Sequence, residues 1–206
     1  MLLTIALAII IASVGPSGAL IQFVSLALIG AALLLALRTA EVRPRTLRLV
    51  AVLVVIALAV GLLSSLQSVH FVPASLVLVI GAVLIAATSI VLAERLVRNP
   101  EVTLQTIMGA LSVYLLIGLF FSFVFSTTAL ATGTPFFVST PDASTSDYLY
   151  FSFITLATVG YGDLVASTNL GRTLSATEAL TGQLYLVTVV ALLVSNLNQR
   201  GRSGRN

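Results

Sequence analysis

Long, nearly charge-free apolar stretches follow one another along most of this chain, and no other feature limits its fold as severely. Six stand out between charged and turn-forming breaks: 2–14, 19–37, 47–66, 74–93, 104–127 and 173–197. A helix crosses the ~30 Å hydrocarbon core with about 20 apolar residues, and a soluble core has no use for so many in succession. With 58% hydrophobic and 8% charged residues, the composition excludes an ordinary soluble domain. The expectation is an all-α membrane protein with six transmembrane helices. The first stretch is short and is set off by Gly15, Pro16, Ser17 and Gly18. Because Met1-Leu2-Leu3-Thr4 carries no basic residue, it reads as a retained helix rather than a signal peptide.

The basic residues are ten arginines and no lysine, for a net charge of +3, too few and too scattered for a nucleic-acid partner. Their placement carries more. Arg38, Arg43, Arg45 and Arg48 lie between spans two and three, Arg95 and Arg98 between four and five, and Arg200, Arg202 and Arg205 after six. Only Arg172 falls on the other side. The positive-inside rule then makes both termini cytoplasmic, in a multi-pass protein of the plasma membrane. There is no cysteine, so neither a disulfide framework nor a cysteine metal site is available, and a lone His70 cannot build one. His70 falls in an outer loop, where it either titrates near neutral pH or is an ordinary interfacial polar residue.

Between spans five and six, residues 129–172 break the apolar pattern. The first part is rich in Thr, Ser, Pro and Gly and reads as an extracellular loop. Residues 147–157, DYLYFSFITLA, turn apolar and aromatic again but number only eleven, too few to span. They predict a short re-entrant helix, capped by Ser146 or Asp147, whose carboxylate also suits the positive end of the helix dipole.

Directly after it stands TLATVGYGD, Thr155 to Asp163. A bare cation such as potassium crosses a membrane only where closely spaced oxygens replace its water, and backbone carbonyls can do this. Turning successive carbonyls the same way needs alternating backbone conformations, which glycine accepts at positive φ. Gly160 and Gly162 occupy alternate positions. Thr158 adds a hydroxyl at the lowest site, while Val159 and Tyr161 are expected to turn away and pack on the supporting helix. Irregular backbone at membrane depth is tolerated only where it lines water or is buried in protein.

Thr155-x-x-Thr158-Val159-Gly160-Tyr161-Gly162-Asp163 resembles the signature sequence of potassium channels, and the resemblance covers mainly residues 104–197. It implies a four-plus-two arrangement: a four-helix membrane domain over 1–98 and a pore domain over 99–206 with outer helix, pore helix, selectivity filter, inner helix and short tail. It further implies a homotetramer around a passive potassium pathway. The ion would bind at Thr158, Val159, Gly160 and Tyr161, with Gly162 closing the filter and Thr155, Asp163, Tyr150 and Glu178 in support. One filter strand per chain supplies a quarter of a ring, and closed symmetry is the norm. Gly182 lies where relatives have an inner-helix glycine proposed as a gating hinge; close helix packing is the other reading. By the same alignment Gln183, Val187, Val190 and Val194 face the inner cavity.

The chain departs from the family pattern in two places. Ala157 replaces a threonine common before the filter, which puts sensitivity to blockers below the filter in doubt, and Tyr150-Phe151 replaces a tryptophan pair. The Tyr150 hydroxyl can still reach Asp163 and brace the filter. Glu178, about two turns into span six, either is protonated, or hydrogen-bonds to the back of a pore helix, or lies near enough to the outer surface to be wet. Span four carries no arginine, so conventional voltage sensing is not expected; Arg95 and Arg98 set orientation and meet lipid headgroups. The nine residues after Leu197 leave no room for a regulatory domain, and no regulatory partner is specified. No P-loop, paired carboxylates or activated nucleophile is present, so neither an enzyme nor a cofactor is expected, only potassium as permeant ion. Three alternatives remain at this point: a transporter subunit, disfavoured by a single GYG; a non-conducting potassium-sensing or assembly subunit; and a less selective cation channel.

Overall fold

The computed structural model describes residues 104–203, the segment 79–90, and positions 30, 51, 52, 54 and 55; side chains are described as far as residue 192. Spans one to three, apart from those isolated positions, His70, and Arg38 to Arg48, Arg95, Arg98 and Arg205 lie outside the described residues, as does the division at residue 98.

Every described element is helical: α1 (Val79–Ile90), α2 (Leu104–Thr132), α3 (Thr145–Leu156) and α4 (Asn169–Ser203). Among the described residues, Thr106–Thr132 and Asn169–Leu192 are long and apolar enough to cross a membrane. At 29 residues, α2 is about 44 Å long, and it continues past the expected end at 127. Thr127, Thr128 and Thr132 turn their hydroxyls back onto the carbonyls of Phe123, Val124 and Thr128, which lets polar residues prolong the helix without unmet donors. α4 likewise begins at Asn169 rather than 173, because Thr168 caps it: its hydroxyl accepts from the Gly171 amide at 3.1 Å.

α3 has 12 residues, about 18 Å, and stops well short of a ~30 Å core. Its N-cap is Ser144, not Ser146 or Asp147. The Ser144 hydroxyl accepts from the Asp147 amide, and the Asp147 carboxylate takes the Ser144 amide at 2.7 Å, a capping box. Several nearby residues are able to cap; the acid three positions on decides which does.

α3 lies in the angle between α2 and α4, with the Phe153 ring over Gly118 of α2. One end of this assembly is an aromatic core of Phe121, Phe125, Phe136, Phe137, Tyr148 and Phe151. The Phe137 ring centroid lies 5.0 to 5.2 Å from those of Phe136, Tyr148 and Phe151, edge-on to the two phenylalanines and tilted against the tyrosine. The segment expected to be a polar outer loop is thus anchored by two buried phenylalanines. A short antiparallel bridge pairs Phe137 with Ala166, through Val138 N–H to the Val165 carbonyl and Ser167 N–H to the Phe136 carbonyl. It joins the chain entering α3 to the chain leaving the TVGYGD segment.

Candidate functional site

The segment from Thr158 to Asp163 starts where α3 runs out of helix. The amides of Thr158, Val159 and Gly160 all turn back to the last turn of α3, Thr158 to Thr155 O at 2.9 Å, Val159 to Ile154 O at 2.8 Å and Gly160 to Ile154 O at 3.2 Å. The donors are therefore satisfied on the helix side. From there φ is positive at every second residue: 56° at Thr158, 52° at Gly160 and 82° at Gly162. Such alternation brings successive carbonyls round to one side, where an ordinary strand would alternate them. Thr158 is the one described non-glycine residue with positive φ, and sequence reading, which looked for glycine, missed it.

Two side chains hold that strained start. The Gln183 carboxamide of α4 donates to the Thr158 hydroxyl at 3.3 Å, and the Tyr114 hydroxyl of α2 donates to the Leu156 carbonyl at 3.2 Å. Neither contact was legible in the sequence, because each joins residues far apart along the chain. Gly182 sits against the same junction: a Cβ there would lie 2.8 Å from the Leu156 carbonyl oxygen and 2.7 Å from its Cδ1. Close packing therefore requires glycine at this point, and α4 passes through it unbroken.

At the other end, the Ser139 hydroxyl donates to the Asp163 carbonyl at 3.0 Å and the Arg172 guanidinium to the Ala166 carbonyl at 3.2 Å. A hydrogen bond from the Tyr150 hydroxyl to the Asp163 side chain, with lesser contributions from burial and nearby charge, raises the phenol's pKa above its ordinary value. A tyrosine whose pKa is raised by an acceptor keeps its proton, and hence the bond, at and below the unfolded pKa near 10; the contribution is lost only as pH climbs through the higher folded value. Tyr150→Phe is thus expected to lower the melting temperature in detergent at neutral pH, with the difference from wild type persisting up to about pH 10; equal melting temperatures for both proteins would show that the contact braces nothing.

In the single chain Val159 and Tyr161 are 50% and 73% exposed. α3 ends before them, at Leu156. Gln183, Val187 and Val190 are exposed on α4, and the Val194 side chain lies outside the described residues. Glu178 is not wet: it is fully buried, with Oε1 on the Ser152 hydroxyl of α3.

Residues 124–199 match the family model described as ion channel. The match runs from the later part of α2 through α3 and TVGYGD into α4, and it supports an ion-channel family for this chain. No curated protein and no solved structure matches it. An ion-channel domain with apolar helices of this length accords with a membrane protein and with a non-catalytic role.

Proposed function

We propose that the chain is one subunit of a fourfold symmetric, potassium-selective channel conducting passively down the electrochemical gradient. In this reading α2 is the outer helix, α3 the pore helix, Thr158 to Gly162 the selectivity filter and α4 the inner helix. The observation that carries it is the alternation of positive φ at Thr158, Gly160 and Gly162, with the amides of Thr158, Val159 and Gly160 tied back to α3. Carbonyls aligned in this way, repeated around a fourfold axis, supply the cage that replaces potassium's hydration shell. The exposure of Val159 and Tyr161, and of Leu180, Leu184 and Val187 along α4, leaves apolar surface for neighbouring copies, lipid and a central cavity.

The arginine distribution supports a plasma-membrane protein with cytoplasmic termini, and the arginine-free fourth span argues against conventional voltage gating. Purified protein reconstituted in liposomes tests the reading through potassium flux measured against sodium flux. Potassium flux in large excess over sodium is the expected result. Equal fluxes would replace it with a non-selective cation channel, and none from a verified tetramer with a potassium-binding or assembly subunit.

A further inference from the structure

Behind α3, one hydroxyl touches two acceptors. Ser152 Oγ, fully buried, lies 2.6 Å from the Gly118 carbonyl oxygen of α2 and 2.5 Å from Oε1 of Glu178 on α4. A serine hydroxyl has one proton, and a backbone carbonyl has none to give. If Ser152 donated to an ionised Glu178, the contact with Gly118 would be two oxygens facing each other with no hydrogen between them. If it donated to Gly118, an ionised Glu178 would face bare oxygen instead. A single arrangement puts a proton on both contacts: Ser152 donates to Gly118, and Glu178 donates to Ser152.

We infer that Glu178 is a neutral carboxylic acid, the first donor in a relay from Glu178 to Ser152 to the Gly118 carbonyl that positions α3 between α2 and α4. Two further observations agree. The second carboxyl oxygen, Oε2, is buried and has no hydrogen-bond partner among the described residues; a neutral carbonyl oxygen bears this far better than a charged one. No cation among the described residues compensates it either. Arg172, on the same helix, is turned to the Ala166 carbonyl, Tyr114 is the titratable group facing Glu178 from α2, and the acid of α3, Asp147, is engaged in the cap of its first turn. Glu178 is a positioning residue in this assignment. It acts on the filter through α3, whose last turn receives the amides of Thr158, Val159 and Gly160.

The conduction part of the test rests on the channel reading; the spectroscopic part does not. Infrared spectra of the full-length protein in lipid at neutral pH are expected to show the carbonyl stretch of a protonated carboxylic acid, lost in Glu178→Gln. Glutamine keeps a donor for Ser152, so Glu178→Gln is expected to hold potassium flux within about twofold of wild type, whereas Glu178→Ala, which removes that donor and with it the tie between α3 and α4, falls about tenfold or more. Ser152→Ala, which breaks the relay while leaving the acid in place, is expected to lower flux by a similar factor. Absence of the band in wild type overturns the inference, as does a Glu178→Gln protein as impaired as Glu178→Ala. A wild type that shows the band and loses it in Glu178→Gln, yet conducts no potassium, overturns the channel reading and supports the neutral acid.

Discussion

Gly160→Ala is expected to abolish potassium-selective flux into liposomes while leaving the helical content unchanged. At φ 52° an added Cβ meets nothing within 4 Å of it in the chain, so the penalty is conformational rather than steric. Left-handed backbone costs an L-residue about 1–2 kcal/mol, roughly a tenfold loss of the aligned conformer per chain. In the proposed fourfold ring that cost is incurred four times over. Thr158 holds a similar φ only because its amide is tied to Thr155 and its hydroxyl to Gln183, a case of strain fixed by its surroundings. Gly160 has only its amide on Ile154. Flux and circular dichroism measured together decide the matter: a mutant that conducts potassium with unchanged selectivity would move the filter away from these residues.

Phe137→Ala should produce the largest loss of stability. The ring is 1% exposed and meets three other aromatic rings, and truncating a buried phenylalanine of this kind costs about 3–5 kcal/mol. The damage would not stay local, because the neighbouring bridge through Val138 and Ser167 holds the chain just beyond Asp163. Thermal unfolding in detergent is the measurement, with exposed Val138→Ala as the control, expected to change stability by no more than about 0.5 kcal/mol. A melting temperature as little changed in Phe137→Ala as in the control would show that the aromatic core contributes nothing.

The extent of α2, α3 and α4 was legible to within about six residues at each end, since apolar run length and turn composition are local properties. So was the place of the TVGYGD segment, which a short local run specifies almost alone. Features that depend on contacts distant in sequence were not. Phe136 and Phe137 look like two exposed apolar residues in a polar loop until Phe125, Tyr148 and Phe151 are brought to them. Ser152 and Glu178, 26 residues apart, could each be noticed as polar groups in apolar helices, but nothing local indicates that they meet. The cap at Ser144 and the positive φ of Thr158 were missed differently: several residues were chemically eligible, and the choice was made by a partner, Asp147 in one case and the end of α3 in the other.

The unbroken passage of α4 beside Leu156 has a mechanical consequence. Gly182 and Gln183 touch the junction from which TVGYGD begins, and that contact divides the 35-residue helix into an N-terminal arm of about 20 Å and a C-terminal arm of about 30 Å. A stiff rod resting on a fixed point behaves as a lever. Swinging its long C-terminal arm aside by about 5 Å turns the fulcrum through roughly ten degrees, and the fulcrum bears on the Leu156 carbonyl and the Thr158 hydroxyl. A load on the C-terminal end of α4 therefore reaches the backbone at the start of TVGYGD as a small torque, without any joint in the helix itself.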